Sequence, residues 1–151
     1  MKQIIQLNSE AKLSEHFTLG ELTRSNSHPE IYNIPSHEAI ANLKHVCTWL
    51  EVLRERSGAP VIINSGYRSP QLNKKIGGAA NSNHLTGCAV DIRVTGFEQV
   101  IRYAAIFLDY ADETHQEFDE LLVERNRYGA IWLHFALRFR GNRHKVFYIN
   151  T

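Results

Sequence analysis

His84 is followed by Asp91 in the segment Ser82-Asn83-His84-Leu85-Thr86-Gly87-Cys88-Ala89-Val90-Asp91-Ile92, and this pair reads as two of the three protein donors of a catalytic metal site. The third candidate is His134. It lies in Ile131-Trp132-Leu133-His134-Phe135-Ala136-Leu137, where strict alternation puts Ile131, Leu133, Phe135 and Leu137 on one strand face and Trp132, His134 and Ala136 on the other. Two neutral imidazoles and one carboxylate fill three positions of a tetrahedral Zn²⁺ and leave the fourth open, as a catalytic site needs and a structural one does not. The same donors also suit Fe(II), with zinc the better match. With zinc the set keeps a net charge of +1, which favours a transition state that develops negative charge.

His-x6-Asp alone is a weak pattern in a chain with 8 His. Its surroundings add specificity. They are Asn64-Ser65-Gly66-Tyr67-Arg68-Ser69-Pro70, Leu72-Asn73, Gly77-Gly78 and Ser82-x-His84-Leu85-x-Gly87-x-Ala89-x-Asp91-Ile92. Upstream stands Phe17-Thr18-Leu19-x-Glu21-Leu22-Thr23-x-Ser25; downstream stand Phe118-Asp119-Glu120-Leu121-Leu122-x-Glu124 and Trp132-x-His134. In this order the motifs resemble the M15 family of zinc D-alanyl-D-alanine peptidases, in particular its short phage-lysin-like and bacterial branch. The resemblance runs from Phe17 to Leu137. It implies a hedgehog/D,D-peptidase-like α+β fold, Zn²⁺ as cofactor, and a metallopeptidase acting on peptidoglycan stem or cross-bridge peptides. The reaction would be of the D,D- or L,D-carboxypeptidase or endopeptidase type.

Amide hydrolysis also needs a group that takes a proton from the attacking water and returns it to the leaving amine. Many members of the wider family place a glutamate three positions before the last His; here that position is Ile131. Glu124 instead ends a run resembling the segment that carries the equivalent glutamate in hedgehog-type domains and the short branch. Pairing the strands of a hairpin would bring it beside His134. Its bland alternative is an edge-strand salt bridge, and Asp119 and Glu120 are the substitutes. The family Arg matching Arg68 contacts the substrate carbonyl or bears developing negative charge, whereas a surface Arg capping the next helix is the plain reading. Ser82 and Asn81 are candidates for substrate hydrogen bonds, or for loop capping. Trp132 either walls the cleft or packs as a partly buried aromatic.

These residues need elements to hold them. Thr18-x-x-Glu21 has the form of a capping box and predicts a short helix to about Arg24, with Leu19 and Leu22 on the core. Ser36 caps a longer helix with apolar Ile40, Leu43, Val46, Cys47, Leu50 and Leu53, which Gly58 ends. Val61-Ile62-Ile63 predicts a strand that delivers the Ser65-to-Arg68 turn, and Ser69-Pro70 opens a brief helix. A metal-bearing strand is expected from Ala89 to Val94, and a helix from about Phe97 to Leu108 on Val100, Ile101, Ala104, Ala105 and Leu108. Strands from Glu120 to Glu124 and from Ala130 to Leu137 form a hairpin around Gly129, and Val146 to Ile149 makes a last strand. Helices followed by a mainly antiparallel sheet with a covering helix give an α+β pattern.

The 151 residues, with 43% hydrophobic and 22% charged content, fit one globular domain spanning 1–151 and are expected to act as a monomer. A net charge of +1 gives no global pull towards nucleic acid, so the basic tail of Arg138, Arg140, Arg143, His144 and Lys145 reads as a solvated hairpin or a local patch for an anionic wall polymer. Cys47 and Cys88 read as buried thiols; Cys88 as a fourth metal ligand would fall on the strand face opposite Asp91. The remaining six His read as surface or capping residues. Met1 to Asn8 lacks a signal-peptide core and no stretch is long enough to span a bilayer. Synthesis in the cytoplasm is expected, with lysis, a phage route or dedicated export bringing the chain to the wall. The rival from another class is a catalytically silent module that keeps the metal and displays a groove to a wall or protein ligand.

Overall fold

The structure, a computed structural model, describes residues 8–151; the first seven, read above for an export signal, lie outside the described residues. The elements are α1 (His37–Ser57), β1 (Ile63–Ser65), α2 (Pro70–Lys75), a 3-10 turn (Asn83–Thr86), β2 (Ala89–Arg93), α3 (Phe97–Thr114), β3 (Glu120–Arg125), β4 (Ile131–Ala136) and β5 (Lys145–Asn150). The five strands form one sheet in the order β1-β2-β4-β3-β5. Every neighbouring pair is antiparallel except β3 with β5, which is parallel. The architecture is α+β, as expected.

Local chemistry sets most boundaries. Ser36 Oγ accepts from Ala39 N at 3.1 Å and starts α1, while Gly58, at φ 73°, ends it by donating its N–H to Arg54 O. Ser69 caps α2 in the same way, with Pro70 at the first helical position. The Thr18–Glu21 capping box forms, each backbone N–H reaching the other side chain at 3.3 Å, but no helix follows. Thr23 N turns to Gly20 O, a tighter bond than the helical one, and leaves a string of turns. Leu19 and Leu22 are buried all the same.

Two further expectations are corrected. β1 begins at Ile63 rather than Val61 and its pairing with β2 slips between Ile63 and Ser65, so the irregular ladder carries only the last residue of the apolar run. Helix α3 continues to Thr114, where His115 caps it in the left-handed conformation. Its buried stripe is Val100, Tyr103, Phe107 and Ala111, whereas Ile101 lies about 100° round the helix and is half exposed.

The core lies between the helices and one sheet face. Trp49 of α1 stacks on Phe135 of β4 at 5.4 Å, edge-on to Tyr110 of α3 at 4.8 Å, and Phe107 stacks on Phe135 at 4.3 Å. Each such side chain contributes roughly 1.5–3 kcal/mol when buried. With that face filled by Phe135 and Leu133, the intervening residues of the same strands project from the other face. That face carries the chemistry.

Candidate metal centre and its cleft

Register brings the carboxylate and the last histidine together. Asp91 on β2 is the cross-strand partner of His134 on β4, and Leu122 on β3 is the partner on the other side. Side chains two apart share a face, so Glu120 and Glu124 stand on either side of Leu122 on the face that holds His134. His84 arrives from a different kind of element. It sits in the 3-10 turn, whose cap is Ser82 Oγ accepting from His84 N at 3.1 Å and whose exit is Gly87 at φ 77°. The donor atoms of His84, Asp91 and His134 all lie within 4.8 Å of one another, and all three residues are buried.

The hydrogen bonds around these atoms test whether a cation belongs among them. His84 Nδ1 donates to Gly66 O at 2.7 Å, so Nε2 presents a lone pair to Asp91 Oδ1 at 3.4 Å. Two buried acceptors therefore face each other. His134 Nδ1 lies 3.1 Å from the same Asp91 oxygen, with Glu124 Oε1 at 3.4 Å from that nitrogen. Three donors converging on one shared point, with each imidazole anchored through its second nitrogen, fit a metal ion with an open side.

Electrostatics agree with that fit. Burial opposes ionisation of Asp91, but His84 and His134 outweigh it and hold the carboxyl well below the usual range. Burial pushes His84 down, in part offset by Asp91. Burial also works against a charged His134, yet its hydrogen bonds to Asp91 and Glu120 push it up to about 10 in the metal-free chain. Glu124 is pushed up to about 7, first by burial and then by Asp91, which is the range a proton-transfer group needs.

Arg68 reaches the centre from the turn before α2. Its Nη2 donates to Asp91 Oδ2 at 3.2 Å, Nε to Ser65 Oγ at 3.1 Å and Nη1 to Asn73 Oδ1 at 3.2 Å. These bonds orient the carboxylate and fix the guanidinium, a role the sequence reading did not include. Asn73, from the Leu72-Asn73 motif, is buried and also donates to Ala79 O at 2.9 Å, tying down the loop that follows α2.

The centre opens into a cleft of about 550 Å³ whose lining includes Arg68, Asn81, Ser82, Glu124, Trp132 and His134. The three candidate ligands, Glu124, Arg68, Ser82, Asn81 and Trp132 thus border one space, as does Glu120, whereas Asp119, the other substitute for the base, is fully buried and paired with Arg143. Ser82 reaches it with its oxygen already engaged as a cap. Trp132 walls the cleft, and its indole Nε1 is buried with no hydrogen-bond partner among the described residues. Cys47 and Cys88 are free and buried, and burial pushes the Cys47 thiol up to about 12. The basic tail is more structured than a solvated hairpin: Arg143 and Arg138 both pair with the fully buried Asp119, at 2.7 and 3.4 Å.

Residues 15–121 match the family described as Peptidase M15. Over 91 residues, 60% of this chain, the sequence is 34% identical to the zinc D-Ala-D-Ala carboxypeptidase of Streptomyces albus G. That alignment covers 36% of the relative, so the chain spans about a third of its length. Arg68, His84 and Asp91 fall inside the matched stretch, whereas Glu124 and His134 lie beyond it and owe their place at the centre to strand register. The chain belongs to the Peptidase M15 family.

Proposed function

We propose that the chain is a zinc metallopeptidase that hydrolyses peptidoglycan stem or cross-bridge peptides, as a carboxypeptidase or endopeptidase of D,D or L,D type. The observation that carries this reading is the position of Glu124 Oε1, 3.4 Å from His134 Nδ1 and at the edge of a three-donor centre that opens into the cleft. The substrate class comes from the related carboxypeptidase; the site residues by themselves support metal-assisted hydrolysis.

His84, Asp91 and His134 would hold the zinc, which when bound supplies Lewis acidity to a peptide carbonyl and to the water that attacks it. Glu124 accepts the proton of that water and passes it to the leaving nitrogen. Arg68 keeps Asp91 in orientation with one N–H, gives two more to Ser65 and Asn73, and meets negative charge on the carbonyl oxygen with the N–H groups left over. Trp132 and the loop carrying Asn81 border the path of the peptide. The presence of both Glu124 and Arg68 beside the metal ligands favours the peptidase over a silent binding module.

Mass spectrometry of products from a defined set of muropeptides tests the proposal. Zinc-loaded protein should release fragments that Glu124→Gln does not. Intact muropeptides in every reaction, with zinc bound, would turn the reading towards the binding module.

A further inference from the structure

Glu120 lies on the same strand face as Glu124, yet it meets the opposite edge of the same imidazole. Its Oε1 is 3.0 Å from His134 Nε2, while Asp91 and Glu124 lie at Nδ1. The two ring nitrogens point to opposite sides of the ring, so Glu120 is turned away from the point where the three donors converge. We infer that Glu120 is a positioning residue: it accepts the Nε2–H of His134, fixes that tautomer, and leaves Nδ1 as the metal-donating atom. The inference rests on the metal-centre reading above.

The same carboxylate oxygen is itself held. Asn83 Nδ2 donates to Glu120 Oε1 at 2.7 Å and to Asp119 Oδ2 at 2.8 Å, and Asn83 Oδ1 accepts from Arg138 Nε at 2.9 Å. Asp119 is in turn fixed by Arg143, through Nε at 2.9 Å and Nη2 at 2.7 Å. Asn83 directly precedes His84 in the 3-10 turn. One amide therefore joins the element that carries the first metal ligand to the carboxylate that orients the last. His84 is oriented by a neutral acceptor, Gly66 O, and His134 by an ionised one. A carboxylate behind an imidazole raises its basicity and its strength as a ligand, so Glu120 contributes affinity as well as direction. Register supplies the geometry: Glu120 pairs with Ala136, one step along the face from the Leu122–His134 pair.

The test has two arms. In zinc-loaded wild-type protein, long-range ¹H–¹⁵N NMR of the histidine rings should show His134 protonated at Nε2 and bare at Nδ1. A chelator competition should show Glu120→Ala binding zinc about 10–100-fold more weakly than wild type, as loss of such a partner does elsewhere. Glu120→Gln, which keeps an oxygen to accept the Nε2–H, should recover most of that loss. A proton at Nδ1 of His134, or wild-type zinc affinity in a folded Glu120→Ala, overturns the inference. If Glu120→Ala does not fold, the tautomer in wild type decides alone. Wild-type protein that binds no zinc would instead refute the metal centre itself, and zinc binding without peptide hydrolysis would refute the peptidase reading while leaving the role of Glu120 intact.

Discussion

Glu124 Oε1 stands 3.4 Å from His134 Nδ1, on the side of the ring that faces Asp91, whereas Glu120 stands at Nε2 on the far side. Both carboxylates line the cleft, but of the two only Glu124 lies at the ring nitrogen that faces Asp91, where a proton carrier must stand. Glu124→Gln should keep zinc and the thermal midpoint of the wild type while kcat falls by about 10²–10⁴-fold, the usual contribution of a general base. Steady-state kinetics with metal analysis of the same preparation checks this, and undiminished turnover would remove Glu124 from the mechanism.

Arg68 is held to Asp91 as firmly as to its own turn, so its loss should be felt in two quantities. Arg68→Ala should lower kcat by roughly 2.7–4 kcal/mol equivalent, as removal of one oxyanion donor does, and should also weaken zinc binding because Asp91 Oδ2 loses its partner. Arg68→Lys should recover only part, since the fork that spans Ser65, Asn73 and Asp91 is gone. Wild-type values for both in Arg68→Ala would leave the residue as a cap of α2.

Gly66 carries a requirement of a different kind. A Cβ there would strike the backbone carbonyl of Leu22, and the Gly66 carbonyl is the acceptor that sets the His84 tautomer. Gly66→Ala should lower the melting temperature and weaken zinc binding together, even though no ligand is altered. A chelator competition beside a thermal melt separates this from a purely structural cost, which would move the melt alone.

Asp119 sets a pH dependence of stability. Burial opposes its ionisation, but Arg143 and Asn83 outweigh it and hold the carboxyl below its ordinary value. A depressed folded pKa contributes stability that is present above the unfolded value of about 3.9 and is lost as pH falls through the lower folded value. Asp119→Asn should therefore be less stable than wild type near neutral pH, with the gap closing below about pH 4. Urea unfolding across that range measures it, and a gap that persists in acid would contradict the pairing.

The donors were legible because alternation in Ile131 to Leu137 assigns His134 to a face, and because capping chemistry at Ser36, Gly58, Ser69 and Pro70 is local. Length and register were less so. Helix α3 runs past Leu108 through a polar stretch that ends only where His115 takes the left-handed cap. Spacing could not tell Glu120 from Glu124, which share a face; the pairing of Glu124 with Trp132 and of Glu120 with Ala136 assigns them opposite edges of His134. His84 precedes β2 on a 3-10 turn that no periodicity announces, although Ser82 and Gly87 bracket it. Trp49 widens the buried side of α1 beyond its aliphatic stripe because α3 and β4 both pack on it.

Loading with His84→Ala and Asp91→Ala bears on the ligands one at a time. Wild type should hold about one zinc per chain, and each variant should lose it at micromolar free metal, since two remaining donors do not complete a site of this kind. Metal analysis after dialysis reads the outcome, and full retention in both variants would move the centre elsewhere.

The most direct test of the account is turnover of a muropeptide by metal-depleted protein titrated with zinc. The chain should be silent without metal, and its rate should rise in proportion to added zinc and level off at about one equivalent. Full turnover in the metal-free chain, or none after zinc has saturated the site, would contradict it.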